Sequence, residues 1–98
     1  SIDDKINLLK QTEVLVIDDI GGENITAWFR DEIVLPILQY RLSAKLTTFF
    51  SSNLDYNNLT QSLSQGSKTE HDFVKAVRVI QRIRELTTYI KLDDKQYK

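Results

Sequence analysis

The sequence predicts an α/β fold built on a parallel sheet, and three observations support this prediction. Segments with a helical spacing of apolar residues alternate with short strand-like segments, in the order α-β-α-β-α-β. Such alternation is typical of parallel strands joined by right-handed helical crossovers. The first strand-like segment, residues 13–17, is apolar on both faces, as central parallel strands are. A chain of 98 residues with 41% apolar and 28% charged residues suits one globular domain.

The first helix and the first strand are marked by their ends. Ser1 and Asp4 form a capping-box pair, a serine cap followed three positions later by a carboxylate, which predicts a short, half-apolar helix. The strand at residues 13–17 follows this helix and ends abruptly at Asp18 and Asp19. Two glycines then break the chain, which separates this strand from the next helix.

A longer helix is predicted over residues 25–44, with Asn24 as its cap. Pro36 lies within this helix. Because proline removes a backbone donor and clashes with the preceding turn, it predicts a kink or break near residue 35. Trp28 and Phe29 are interpreted most simply as core residues. The apolar positions that recur at helical spacing are Trp28, Phe29, Ile33, Ile37, Leu38 and Leu42.

The second half of the chain predicts two further strands and two helices. Residues 46–52 are rich in β-branched and aromatic side chains, which is typical of a strand. Residues 55–63 predict a short helix, and a second capping box at residues 69–72 opens a helix that extends to about Glu85. Residues 86–92 are interpreted as a third strand, which completes the alternating order.

Composition excludes several classes of protein and site. The chain has no cysteine, so disulfide frameworks and thiolate metal sites are excluded. The presence of a single histidine, His71, argues against a histidine-based metal site. The sequence has no apolar run of about 18 residues, so we expect no membrane span. It does not open with a basic, apolar and small-residue stretch, so no secretory signal is expected in it. A formal charge of −1 offers no overall electrostatic attraction for nucleic acid.

Polar residues follow both of the first two strands, at the sheet edge where open parallel sheets bind ligands. Asp18 and Asp19 follow the first strand, and the second ends in Ser51, Ser52 and Asn53. Paired carboxylates suit Mg²⁺, one holding the metal or its water and the other orienting or deprotonating a water. The Asn53 amide can hold that water or a phosphate oxygen. The alternative is that the two aspartates form only a strand-ending turn.

A cluster of arginines near the chain's last predicted helix is the other candidate for chemistry. Arg78 and Arg82 are four residues apart and therefore lie on one helix face, and Arg84 follows them closely. An arginine supplied to a neighbour's phosphate stabilises charge in a transition state. The alternative is a solvated basic face that favours the carboxyl end of its own helix.

Taken together, these motifs resemble those of AAA+ ATPases, and most of all the bacterial replicative helicase loaders of the DnaI/DnaC family. Residues 14–21 (VLVIDDIG) resemble the Walker B segment, and residues 28–32 and 38–42 are similar to the loader's following helix. Residues 48–53 (TFFSSN) resemble the sensor 1 strand, and residues 78–84 (RVIQRIR) resemble the arginine-finger helix. The resemblance covers nearly the whole chain, in the right order.

The resemblance implies a role for each candidate residue. Asp18 takes the Mg²⁺-coordinating position, and Asp19 takes the catalytic position, where AAA+ proteins usually have the longer glutamate. Asn53 takes the sensor 1 position, which is both catalytic and nucleotide-binding, and Arg82 takes the arginine-finger position. ATP and Mg²⁺ are the implied cofactors. The implied fold is a partial three-layer, parallel-sheet P-loop NTPase (AAA+) fold, in which residues 1–98 form the C-terminal portion of the ATPase domain.

The sequence departs from the family pattern in one respect: no G-x-x-x-x-G-K-[ST] motif occurs in it. We therefore expect the Walker A strand and loop to lie upstream in a longer loader, and the 98 residues alone to bind ATP poorly and to be inactive. The family's strand order, 5-1-4-3-2, makes the three predicted strands numbers 3, 4 and 5. Strand 5 would then lack its partner, strand 1, so we expect the isolated chain to be marginally stable.

The implied function is a part in primosome assembly during DNA replication initiation or restart. The whole loader would use ATP and Mg²⁺ to help place the hexameric replicative DNA helicase on single-stranded DNA in the cytoplasm. Loader protomers would self-associate through AAA+ interfaces, with Arg82 reaching the neighbour's nucleotide. Two alternatives remain open: a related transposition-type AAA+ ATPase, and a receiver-like Mg²⁺-binding signalling module. The second needs a phospho-accepting aspartate at a later strand end, where Asp55 is the nearest candidate.

Overall fold

The computed structural model describes residues 1–23, 25–64 and 69–91. The elements, in chain order, are α1 (Ile2–Gln11), β1 (Val14–Ile17), α2 (Ala27–Phe29), a π-helical segment (Arg30–Val34), α3 (Leu35–Ser43), β2 (Thr47–Phe50), α4 (Tyr56–Leu63) and α5 (Glu70–Leu86). None of the helices in these ranges combines the length and the apolar character that a bilayer crossing requires.

The two strands form a parallel pair, as the alternating pattern predicts. Val14 lies opposite Thr47, and the register continues without a bulge to Ile17 opposite Phe50. Because the strands are parallel and in register, their carboxyl ends lie side by side at one edge of the sheet. The α/β class predicted from the sequence is therefore confirmed.

Polar caps define where the helices begin. The Ser1 hydroxyl accepts a hydrogen bond from the Asp4 amide at 3.3 Å, and the predicted capping box is present. The Thr69 hydroxyl accepts from the Asp72 amide at 3.2 Å and so caps α5. The predicted cap Asn24 lies outside the described residues. The observed cap of α2 is Thr26, which accepts from its third helical amide at 3.0 Å.

The break predicted at Pro36 takes the form of a change in helix type. The chain winds as a π-helix from Arg30 to Val34 and returns to α-helical geometry at Leu35, with Pro36 in the first turn of α3. Proline cannot donate a hydrogen bond to the preceding turn, and the π-helical winding, in which the Leu35 amide donates to the Arg30 carbonyl, lies directly before it. The helix therefore continues from α2 through the π-helical segment into α3 without a break in the chain of helical residues.

The core lies between one face of the sheet and the helices α3, α4 and α5. Its buried residues are Leu35, Leu38, Leu59, Leu63, Ala76, Val79, Ile80 and Ile83. Ile17 and Phe50 pack against this cluster from the sheet. On the opposite face, Val16 and its cross-strand neighbour Phe49 are exposed, at 64% and 57%. The described chain therefore places helices on one face of the sheet, which agrees with a partial layered fold.

Two predictions about burial and pairing are wrong. Trp28 and Phe29 are 59% and 42% exposed, because the fully buried Arg30 and the buried Ile33 occupy the inward face of this helix. The third strand predicted over residues 86–92 does not form within residues 86–91, and Leu92 lies outside the described residues. Leu86 still belongs to α5, and residues 87–91 pair with no strand among the described residues. A strand is stable only when a neighbouring strand supplies hydrogen-bond partners, so β propensity alone does not produce a strand here.

Candidate functional site

The parallel pairing of β1 and β2 gathers the predicted site residues at one edge of the sheet. Asp18 and Asp19 directly follow β1, and Ser51, Ser52 and Asn53 directly follow β2. The last residues of the two strands lie opposite each other. The side chains of all five are exposed. The candidate site is therefore an open, polar sheet edge, of the kind at which parallel sheets bind ligands.

Ser51 joins the two strand ends. Its hydroxyl donates a hydrogen bond to Asp18 Oδ1 and accepts one from the Asp19 amide at 2.7 Å. Its backbone amide donates to the Ile17 carbonyl at 3.0 Å, and its carbonyl accepts from the Ile20 amide at 2.8 Å. Sequence reasoning placed Ser51 at this edge but missed the bridge. The signal for it is the register, which brings the residue after β2 to the residue after β1.

Asp19 is held in a tight turn. Its backbone is left-handed, with φ of 55°, and its carbonyl accepts from the Gly22 amide at 3.0 Å. The Asp19 carboxylate lies against the Gly22 Cα, where an added Cβ would collide with both of its oxygens. Position 21 also requires glycine, because its φ is +84° and an added Cβ there would collide with Leu59. The double glycine thus determines where the second carboxylate of the pair lies.

The chain after β2 is shaped by a second serine. The Ser52 hydroxyl donates to the Ile20 carbonyl at 2.7 Å and accepts from the Leu54 amide at 3.1 Å. The exposed Asn53 lies between these anchors at the rim of the site. Asp55, the nearest candidate for phosphorylation in a receiver-like module, instead accepts from the Asn58 amide at 2.8 Å and caps α4.

The donor set at this edge suits a hard cation that retains most of its waters. No group of three or more His, Cys, Asp or Glu side chains gathers around one point in the described ranges. Asp18 and Asp19 offer carboxylate oxygens, and Asn53 offers an amide oxygen. Mg²⁺ accepts one or two protein carboxylates together with waters and phosphate oxygens, so these residues fit it.

The arginines of α5 lie elsewhere on the surface. The Arg82 guanidinium donates to Glu85 Oε1 at 3.0 Å, and Arg78 is exposed. Arg84 stacks over the Tyr56 ring, 4.8 Å from its centroid. Within the described chain, no hydrogen bond or ion pair joins Arg82 to the aspartates at the sheet edge.

Sequence reasoning missed two arginines that hold the scaffold of the site, and the first is Arg30. Its side chain is fully buried and donates to both carboxylate oxygens of Asp31, at 2.7 and 3.0 Å, and to the Leu63 carbonyl at 3.0 Å. Asp72 lies 4.0 Å from Arg30, and Lys75 lies 3.6 Å from Asp31. The hydrogen bonds from Arg30, aided by the positive charges of Arg30 and Lys75 and opposed by burial, lower the pKa of Asp31.

The second is Arg41 on α3, whose side chain is also fully buried. Its Nε donates to the Thr48 hydroxyl at 2.9 Å. Its terminal nitrogens donate to the backbone carbonyls of Leu9, Lys10, Thr12 and Thr47, at distances from 2.6 to 3.3 Å. Burial lowers the pKa of Arg41. The residue ties the carboxyl end of α1 to β2, and its spacing after Ile37 and Leu38 is the signal that it faces inward.

An open groove runs beside the free edge of β2. It has a volume of about 1150 Å³ and lies between Thr47–Phe50 on one wall and residues 87–91 on the other. Residues 87–91 are held through Tyr89, whose ring centroid lies 5.0 Å from that of Tyr56, and through Thr87, whose hydroxyl donates to the Ile83 carbonyl at 2.7 Å. Among the described residues, this edge of β2 pairs with no strand, and it faces a space bounded by residues 87–91, which pair with none either.

Comparison with known proteins supports the resemblance predicted from the motifs. The chain is 42% identical over 93 residues to the replicative helicase loader DnaI of Bacillus subtilis (strain 168), which is 95% of this chain and 30% of that protein. A crystal structure of DnaI superposes with a TM-score of 0.80 at 40% identity, covering 90% of this chain and 44% of that chain. No protein-family model matches the chain. The resemblance to the helicase loaders and the partial α/β fold are thereby confirmed.

Proposed function

We propose that this chain supplies the Walker B, sensor 1 and arginine-finger part of an AAA+ replicative helicase loader. One observation supports this most strongly. The Walker B-like residues 14–21 and the sensor 1-like residues 48–53 meet at one sheet edge, in a chain 42% identical to a loader over 95% of its length. Since the chain spans 30% of that loader, the activity of the whole protein is part of the proposal.

At the sheet edge, each residue has a distinct role in nucleotide hydrolysis. Asp18 would hold Mg²⁺ directly or through a water, Asp19 would orient the attacking water, and Asn53 would contact that water or the terminal phosphate. Bound Mg²⁺ would neutralise charge on the nucleotide phosphates. Asp19 is shorter than the glutamate usual at this position. Its left-handed turn, and the position of its carboxylate over Gly22, would set the direction from which the carboxylate reaches the water.

A second protomer completes the site. The Arg82 side chain is partly exposed and pairs with Glu85 in the described hydrogen-bond network, so a neighbour's phosphate can replace that carboxylate. A charge-assisted arginine–phosphate pair is stronger than an exposed ion pair within one helix. The proposed partners are therefore a second copy of the loader, ATP and the hexameric replicative helicase. The loader would help to place that helicase on single-stranded DNA in the cytoplasm.

A chimaera tests the proposal. This chain replaces the matching stretch of B. subtilis DnaI, and ATP hydrolysis and helicase loading onto single-stranded DNA are measured. We expect the chimaera to load helicase, because it then contains these residues together with a phosphate-binding loop. A folded chimaera that fails to hydrolyse ATP or to load helicase, beside an active parent, would contradict the proposal.

Mixing experiments separate the two protomers' contributions. In the chimaera, Asp19→Asn and Arg82→Ala should each lower hydrolysis by at least about 100-fold, since an arginine finger contributes about 10³–10⁵ in kcat. Mixing the two variants should restore part of the activity, because some interfaces then combine an intact Asp19 with an intact Arg82. Arg78→Ala, one turn away on the same helix, is the matched control. Failure of mixing to restore activity would place Arg82 outside the shared site.

A further inference from the structure

We infer that Ser51 is a positioning residue that sets the geometry of both carboxylates at the sheet edge. The inference rests on the proposed function, since it concerns the site at which Asp18 would hold Mg²⁺. The Ser51 hydroxyl is the middle of a chain of two hydrogen bonds, accepting from the Asp19 amide and donating to Asp18 Oδ1. One hydroxyl group thereby links a proposed metal ligand to the backbone of the proposed catalytic residue.

The bridge restricts which part of Asp18 is available to a cation. A carboxylate oxygen has more than one lone-pair direction, and the Ser51 hydroxyl occupies one of those on Oδ1. The remaining directions, including those of Oδ2, are left for a cation or its waters. Hydrogen bonds that orient a metal ligand in this way commonly change metal affinity or activity by about 10- to 100-fold when they are removed.

The bridge also stabilises an unfavourable backbone conformation. Asp19 has φ of 55°, a region that residues other than glycine occupy infrequently. Its amide is satisfied by Ser51 Oγ across the strand ends, 32 residues away in sequence. Without this acceptor, the turn would lose the contact that orients its amide toward β2, and the Asp19 carboxylate would lose its position over Gly22.

Ser52 shows that a serine at this edge need not have this role. Its hydroxyl also makes two hydrogen bonds, one to the Ile20 carbonyl and one from the Leu54 amide, but neither reaches an aspartate. Ser52→Ala therefore removes comparable hydrogen bonding while leaving Asp18 and Asp19 with their partners. It is the matched control for a general loosening of the loop.

The test compares Ser51→Thr with Ser51→Val in the full chain. The two side chains have nearly the same shape and both favour strands, so they differ mainly in the hydroxyl. Hydrogen exchange at the Asp19 amide, measured by NMR relative to the core amide of Val79, reports the bridge without any metal. We expect exchange to be about 5-fold faster in Ser51→Val, the loss of one modest hydrogen bond, and unchanged in Ser51→Thr and Ser52→Ala.

Paramagnetic broadening by Mn²⁺, a probe for the proposed Mg²⁺ site, provides the second measurement. We expect about 10-fold more Mn²⁺ to be needed in Ser51→Val than in Ser51→Thr to broaden the resonances of Asp18. Equal Asp19 exchange in the two variants, or an equal increase in Ser52→Ala, would overturn the inference about Ser51. Absence of Mn²⁺ broadening in the unsubstituted chain would instead overturn the proposed metal site, because the exchange measurement requires no metal.

Discussion

Replacing Arg41 by alanine should strongly destabilise the fold, although the residue lies away from the candidate site. Its buried guanidinium donates to Thr48 and to backbone carbonyls of α1, the chain after α1, and β2. Among the described residues, no carboxylate forms an ion pair with it, so its charge is stabilised mainly by carbonyl dipoles. The carbonyls at the end of α1 add the favourable field of a helix carboxyl terminus.

The expected loss is about 3 kcal/mol. Each buried acceptor left without a donor costs about 1–3 kcal/mol, and breaking a buried charged network costs about 3–5 kcal/mol. Several of the carbonyls bonded to Arg41 are only part-buried, so water can replace the lost donors there, which favours the lower end of this range. Because α1 buries no side chain fully, its attachment should weaken first.

Urea unfolding followed by circular dichroism gives the change in the free energy of unfolding. Amide exchange at Thr12, which donates to the Leu8 carbonyl at 2.9 Å, reports the end of α1. Arg41→Lys keeps the charge but loses the planar fork, so we expect it to lie between the unsubstituted protein and Arg41→Ala. The exposed Arg78→Ala is the control and should change stability by less than about 0.5 kcal/mol. An Arg41→Ala midpoint equal to that of Arg78→Ala would refute this account.

Three further outcomes are expected. Ionised Asp31, held by Arg30, stabilises the fold above its unfolded pKa of 3.8, and this stabilisation is lost as the pH falls through the lower folded pKa. Asp31→Asn should therefore reduce the fall in urea midpoint between about pH 6 and about pH 2, and an unchanged acid limb would contradict the pairing. Gly21→Ala should destabilise the chain by about 1 kcal/mol or more, because its φ of +84° is left-handed, whereas Gly22→Ala should displace the Asp19 carboxylate at little cost in stability. Equal urea midpoints for the two glycine variants would argue against this distinction. The 98-residue chain alone should unfold at low urea, because its described sheet has only two strands and so leaves strand edges unpaired. It should not bind ATP tightly, because it contains no P-loop motif. Trp28 fluorescence can follow the ATP titration, and a cooperative transition at high urea or tight ATP binding would contradict these expectations.

The third strand and the exposed aromatic residues show why part of the fold could not be predicted from periodicity. Residues 86–92 have strand-like composition, but a strand exists only when another strand supplies hydrogen-bond partners. Trp28 and Phe29 fit the apolar stripe of their helix, but the π-helical turn and the inward Arg30 change which positions face the core. In the first case the pattern found no partner strand among the described residues, and in the second the packing of the helix decided which positions are buried.

The order of residues along the chain was sufficient to establish the α/β class, the parallel strand pair and the capping box at Ser1, because caps and apolar periodicity are local properties. It also placed Asp18, Asp19 and Asn53 at strand ends. The bridge through Ser51, 33 residues from Asp18, the burial of Arg30 and the carbonyl partners of Arg41 were decided by the tertiary structure alone. These features depend on register and on which buried carbonyls need donors, and neither quantity exists until the strands and helices have packed together.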